Sequence, residues 1–360
     1  MSHEPEYIDQ PVAARANELP DLGKLRAYLV SKGLMGEEEL LVEQFPGGYS
    51  NLTFLLQLGD REFVLRKPPF GANIKSAHDM GREFKVISAL KPVFAAVPEP
   101  VLYCDDEKVI GTPFYIMERV RGVILRNRLP KGLTIQPETM RSISEAAIDK
   151  LAALHSIDIY STGLINLGKP EGYVQRQVEG WVKRYFNAET DQVNNMNETA
   201  EWLAGNMPRD NPAAFIHNDY KYDNLVLDPG KLDNIIAVLD WEMATVGDPL
   251  MDLGTSLAYW AEAGDSDALK PFNLTWMNGN LTREEVLNRY ASLTGEDINH
   301  FLFYYVFGSF KIAVIVQQIY ARYRKGFTED PRFASLIYVV RACAENAKKA
   351  ISYNRISNFF

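Results

Sequence analysis

The sequence predicts an α+β chain of two lobes, a small N-terminal antiparallel β lobe followed by a larger helical one. Three observations predict it. Short apolar runs divided by turn residues crowd residues 40–66. Helical periodicity takes over from Glu138. One β-rich island, residues 214–240, interrupts the helical half. A length of 360 residues suits two packed lobes better than a single core.

Taken in order, residues 1–20 carry Pro5, Pro11 and Pro20 among polar residues and read as an arm on the body or partly disordered. The N-lobe spans 21–119. Asp21 can cap a helix through LGKLRAYLVSKGL. LLVEQF (40–45), NLTFLLQL (51–58) and REFVLR (61–66) read as strands, separated by Pro46-Gly47-Gly48 and by the hairpin signal Gly59-Asp60. A helix-like AHDMGREFKVISALKP stops at Pro92, and PVLYCDD and TPFYIMERV supply two more strands. The C-lobe, 120–360, opens on a long amphipathic helix, ETMRSISEAAIDKLAALHSID. FLFYYVFGSFKIAVIV, 301–316, is broken by Gly308 and Lys311. It falls short of the roughly 18–20 clean apolar residues of a membrane span and reads as a buried core helix. There is no internal repeat or low-complexity tract.

Composition removes several function classes. At 46% hydrophobic and 24% charged, the chain is globular rather than disordered. A net charge of -9 argues against a general nucleic-acid binder. The two cysteines, Cys104 and Cys343, have no zinc-ligand spacing and read as isolated thiols in a reducing compartment. The polar start MSHEPEYIDQ is no secretory signal, so a cytoplasmic protein with no membrane partner is expected.

The chemistry concentrates in FIHNDYKYDNLVLD, 215–228, and IIAVLDWE, 235–242. Asp219 and Asn224 share a short polar loop, and Asp240 ends a very apolar strand. Phosphoryl transfer needs an aligned nucleophile, held phosphates and a magnesium ion between them. A carboxylate can orient the acceptor hydroxyl and take its proton. An amide oxygen and a second carboxylate suit hard Mg²⁺.

H-N-D-Y-K-Y-D-N followed by V-L-D-W-E resembles the aminoglycoside phosphotransferase family of small-molecule kinases, which shares the protein-kinase-like fold. The subgroup is similar to the kinase-like regions attached to some acyl-CoA dehydrogenases, over roughly residues 40–330. The resemblance implies that Asp219 is the catalytic base, that Asn224 and Asp240 hold Mg²⁺, and that Lys221 reaches the transferred phosphate. His217 and His155 read as structural histidines, and Asp252 as a group that hydrogen-bonds back to the loop. Asp248-Pro249 caps the following helix.

The same resemblance places Gly47, Gly48, Ser50 and Asn51 in a phosphate-covering loop. The phosphate-holding cation falls on Arg66 or its neighbour Lys67, where kinases usually carry lysine. Strand alternation lets only one of the two point inward, and Arg66 is favoured. Glu83 would pair with it. Backbone groups of Glu118 and Val120 would meet the adenine edge. The implied cofactors are ATP and Mg²⁺, and the sequence does not separate ATP from GTP. The implied partner is a small molecule with a hydroxyl acceptor, and the subgroup suggests a hydroxy acid or hydroxyacyl thioester. Two readings compete. The first is a nucleotide-binding scaffold with little catalysis, favoured by the arginine. The second is a protein kinase, opposed by Trp241-Glu242 and the short run to Gly247.

Overall fold

The computed structural model describes residues 6–46, 51–69, 79–328 and 330–359. The chain forms two compact units. The first comprises Met1–Val123 with Ile236–Glu242, and the second Ile124–Ile235 with Met243–Phe360.

The first unit is built on six antiparallel strands: β1 (Val12–Ala13), β2 (Leu40–Gln44), β3 (Leu52–Leu58), β4 (Arg61–Lys67), β5 (Pro100–Cys104) and β6 (Phe114–Glu118). Their spatial order is β1-β2-β3-β4-β6-β5. The β3–β4 hairpin pairs Leu58 with Arg61, so its turn is Gly59-Asp60, with Gly59 at φ 60°. Part of the N-terminal arm adds β1 to the edge of β2. The apolar face, including Phe54, Leu56, Leu65, Phe114 and Ile116, packs on Leu25 and Leu29 of α1 (Leu22–Ser31), whose N-cap Asp21 accepts from the Lys24 amide. Helix α2 (Met80–Leu90) is capped by Asp79, and Glu83 lies on its buried face. The short α3 (Glu107–Ile110) has no counterpart in the sequence reading.

The second unit is mainly helical: α4 (Pro137–His155), α5 (Tyr173–Ala188), α6 (Asn194–Gly205), α7 (Pro249–Tyr259), α8 (Arg283–Thr294), α9 (Phe301–Arg324) and α10 (Leu336–Tyr353). By length and composition α9 could cross a membrane, but 78% of its most apolar window is buried. It packs on α7 and α10 and is the core helix of this unit. The α7–α9 crossing is close enough to demand glycine on both sides. A Cβ on Gly254 would lie 2.2 Å from the Tyr304 carbonyl oxygen, and one on Gly308 2.2 Å from that of Gly254.

The β-rich island resolves into two ribbons. β8 (Leu225–Asp228) and β9 (Lys231–Val238) form one. β7 (Ala214–Ile216) instead pairs with β10 (Thr245–Gly247), beyond the predicted island. The three residues Thr-Val-Gly are too few to signal a strand by alternation.

Candidate active site

In the second unit, β7 delivers the chain into the polar loop that begins at His217. Its backbone is pinned by Asp252, which is fully buried. The Asp252 carboxylate accepts the amides of His217 at 2.6 Å and Asn218 at 2.8 Å, and meets His155 Nε2 at 3.1 Å. Burial works to raise the Asp252 pKa, but hydrogen bonds and charge from His155 and His217 hold it below the usual carboxylate range. His155 Nδ1 meets the Tyr290 hydroxyl at 2.7 Å, which anchors the clamp to α8.

Asn218 takes φ 68°, a left-handed conformation that asparagine tolerates better than most residues, at a cost of about 1–2 kcal/mol. Its surroundings offset that cost. The Asn218 side-chain Nδ2 donates to the Tyr173 hydroxyl at 3.1 Å and the Met243 carbonyl at 3.2 Å. The Asn218 backbone carbonyl accepts from Lys311 Nζ at 2.9 Å. The next amide, of Asp219, donates to His217 Nδ1 at 3.2 Å. The peptide before Asp219 is therefore held at both its oxygen and its nitrogen.

The Asp219 carboxylate accepts from Lys221 Nζ at 2.9 and 3.1 Å. Asn224 Nδ2 donates to the Asp219 carbonyl at 2.8 Å and to its carboxylate at 3.1 Å. The Lys221 ammonium also lies 4.7 Å from the centre of the Tyr259 ring, and burial, together with the Asp219 charge, raises the pKa of the Tyr259 hydroxyl. Burial alone would lower the Lys221 pKa; the Asp219 carboxylate beside it raises it instead. Burial lifts neighbouring Asp223 to about 6, against the pull of Lys221 and Arg126.

In the first unit, β4 turns Arg66 and Lys67 to opposite faces. Arg66 Nη1 donates to Glu83 at 2.8 Å, and Nη2 to Asp240 Oδ1 at 2.9 Å. Lys67 lies 5.9 Å from the centre of the Phe54 ring. The guanidinium stays charged: burial opposes the charge, but two carboxylates facing it outweigh that penalty. Burial lifts the Glu83 carboxyl above its ordinary range, with Arg66 pulling it back.

The returning segment Asp240–Glu242 is tied down residue by residue. Asp240 is held by Arg66. The Trp241 amide donates to Glu83 at 3.2 Å. Glu242 accepts from the Asn51 side chain at 2.7 Å, and its carbonyl from Arg82 at 3.1 Å. Asp240 itself takes φ 66°. Asn218 and Asp240 are thus two strained backbone positions that fall on the residues flanking or forming the predicted chemistry.

The structure brings Asp219, Lys221 and Asn224 together in one unit, and Arg66, Glu83 and Asp240 together in the other. Asn51, expected to face phosphate, donates its amide to Glu242 instead. The Glu118 amide is used by the Glu99 carbonyl at 2.9 Å, and Val120 is half-buried just beyond β6. Gly47, Gly48 and Ser50 lie outside the described residues. Sequence reasoning missed the roles of Tyr259 and Lys311. Each reaches its site from a distant helix, and no local spacing announces it.

An antiparallel sheet carrying a buried cation–carboxylate pair, and a helical unit carrying an Asp–Lys–Asn loop, define a kinase-like phosphotransferase fold. The chain belongs to the phosphotransferase enzyme family, whose model matches residues 41–285. It is 38% identical over 326 residues to acyl-CoA dehydrogenase family member 11 of Homo sapiens, covering 89% of this chain and 41% of that protein. The chain therefore spans less than half the length of that relative. A candidate aminoglycoside phosphotransferase from Ralstonia eutropha superposes with TM-score 0.76 at 30% identity, over 92% of this chain and 99% of that one. Choline kinase from Cryptosporidium parvum shares the fold, with TM-score 0.62 at 15% identity, over 92% and 96% of the two chains.

Proposed function

We propose that this chain is an ATP- and Mg²⁺-dependent phosphotransferase that moves the γ-phosphate to a hydroxyl of a small molecule, of the hydroxy-acid or hydroxyacyl-thioester class. The observation that carries the reading is the Asp219 carboxylate, held on a pinned loop with Lys221 and Asn224 against it. Asp219 orients the acceptor hydroxyl and takes its proton as the oxygen bonds to phosphorus and the bond to the departing ADP breaks. Lys221 faces the transferred group. Arg66, aimed by Glu83, serves the nucleotide phosphates.

The donor chemistry fits magnesium. Asn224 spends its amide nitrogen on Asp219, which leaves its hard carbonyl oxygen as a ligand, and Asp240 offers a carboxylate. Among the described residues no group of three or more His, Cys, Asp or Glu side chains forms a metal cage. That agrees with Mg²⁺, which takes one or two protein oxygens and completes its shell with water and phosphate. Bound there, the ion would neutralise phosphate charge.

One observation favours a second reading, a nucleotide-binding scaffold. Arg66 occupies Asp240 Oδ1 at 2.9 Å, an oxygen a metal would use. Acceptor-dependent ADP release separates the two. It should be measured across hydroxy acids, hydroxyacyl-CoA thioesters, amino alcohols, sugars and aminoglycosides. The expected result is turnover with one class, reduced about a hundredfold or more in Asp219→Asn. Nucleotide binding with no acceptor-dependent release anywhere replaces the kinase with the scaffold.

A further inference from the structure

In the first unit, the segment that leaves β6 is gripped by one arginine. The Arg119 side chain is only 5% exposed. Its Nη1 donates to Glu62 on β4 at 2.9 Å, and its Nη2 to the Asp9 carbonyl in the N-terminal arm at 2.8 Å. Its guanidinium carbon lies 5.7 Å from the centre of the Phe45 ring. A planar fork can hold all three at once, where a lysine ammonium would serve as a single point of charge. The arm returns the grip, because the Asp9 amide donates to the Gly122 carbonyl at 3.0 Å. Arg119 and Gly122, on either side of Val120, are thus tied to the same arm residue.

The arm is fastened at a second place. β1 pairs Val12 with Gln44 and Ala13 with Glu43. The buried Gln44 side chain accepts from the Arg15 amide at 3.1 Å and donates to the Glu18 carboxylate. Phe45, next in the chain, donates its amide to the Thr53 carbonyl at 3.0 Å. The arm therefore runs as a strap from the segment after β6 to the end of β2, just before Gly47 and Gly48 in the sequence. At the first end one backbone donor is left open. The amides of Glu118 and Arg119 are spent on the carbonyls of Glu99 and Glu62, at 2.9 and 3.3 Å, whereas that of Val120 makes no hydrogen bond among the described residues.

We propose that Arg119 is a positioning residue for nucleotide binding: together with Asp9 of the arm it fixes the Val120 amide and the end of β2 relative to each other. The proposal rests on nucleotide binding, which the kinase and scaffold readings share, and adds the N-terminal arm to that site. A donor held in place before the base arrives does not have to be ordered on binding, and affinity gains by that saving.

Calorimetry with Mg-ADP on the full chain tests it. Arg119→Met removes the fork and leaves Glu62 paired with Arg121 at 2.6 Å. Asp9→Pro removes the arm's donor to Gly122 and alters no residue of β4 or of the segment after β6. Each should weaken Mg-ADP about tenfold. The double variant should lose no more than the worse single one, because both act through one clamp. Arg119→Lys should recover part of the loss. Arg61→Ala, which gives up an exposed pair with Glu38, should bind as the wild type does. In turnover with a productive acceptor, Arg119→Met should raise the KM for ATP and leave kcat at saturating ATP within about twofold. A purely structural clamp would lower the melting midpoint of Arg119→Met but leave its Mg-ADP affinity, measured well below that midpoint, at the wild-type value. That result overturns the proposal, as do losses that multiply in the double variant or an equal loss in Arg61→Ala. The parent readings fail separately. A wild type that binds no nucleotide removes kinase, scaffold and clamp together. Arg119-dependent Mg-ADP binding with no ADP release from any acceptor would sink the kinase and leave the clamp standing.

Discussion

At the scale of single residues, Lys311 makes the sharpest prediction. Its ammonium is buried in α9 and bonds the carbonyl of the peptide that carries Asp219. The charged groups that act on it are Asp252, Asp219, Lys221 and Arg184, and it also lies 5.8 Å from the centre of the Trp181 ring. Burial brings its pKa down to about 8 despite the two carboxylates. A lysine whose folded pKa is depressed costs stability wherever it stays protonated. The cost is fully present below about 8 and is relieved as pH rises toward the ordinary lysine value. The wild type should therefore gain stability relative to Lys311→Met between about pH 8 and 10. Activity should run the opposite way, because the charge that orients the Asp219 peptide is lost over the same range. A pH–rate profile with an alkaline limb near 8, absent from a slower Lys311→Met, is the expected result. An unchanged limb in the variant would remove Lys311 from the mechanism. None of this is visible in the sequence, where Lys311 reads only as a flaw in an apolar run. Asp219 and Asn224 are legible because their spacing lies within one loop. Tyr259 and Lys311 reach that loop through tertiary packing alone.

At the scale of elements, legibility followed local chemistry. The Gly59-Asp60 hairpin and the Asp21 and Asp248 caps are readable because each depends on residues close in sequence or on a single turn type. β10 is not, since a three-residue strand carries no periodicity of its own. In the sequence Gly308 reads as a break in a hydrophobic stretch, and the structure supplies a stronger reason for it. α7 and α9 touch backbone to backbone at Gly254 and Gly308. A methyl group there cannot be absorbed by a side-chain rotation, because the obstructing atoms are carbonyls. Gly308→Ala should cost about 3 kcal/mol, at the upper end of overpacking penalties. For a unit of this size that lowers the melting midpoint by about 6–12 °C. Thermal melts followed by circular dichroism check it. A shift under about 1 °C would mean that the helices separate easily, and the close crossing would then lose its place in holding Asp252 and Lys311 in one core.

At the scale of the whole molecule, a linear reading has no means of anticipating that Ile236–Glu242 returns to the first unit. That return places Asp240 beside Arg66 and Glu83, and it makes the arginine substitution testable through stability. If Arg66 holds Asp240 only until a metal and nucleotide arrive, Mg-ADP should stabilise the protein more than ADP alone. At a free concentration about a hundred times Kd, the gain is about 2.7 kcal/mol, or a rise of several degrees in the melting midpoint. Asp240→Asn keeps the side-chain volume and a hydrogen-bonding oxygen but removes the charge. It should retain the shift produced by ADP and lose the increment due to magnesium. Arg66→Lys should restore a more ordinary phosphate cation while breaking the fork that spans Glu83 and Asp240, and so release Asp240 for the ion. Its magnesium increment should equal or exceed that of the wild type. Identical shifts with and without magnesium in the wild type, unaffected by either substitution, would leave Arg66 as a permanent plug on Asp240. The scaffold reading would then outrank the kinase, however well the Asp219 loop is formed.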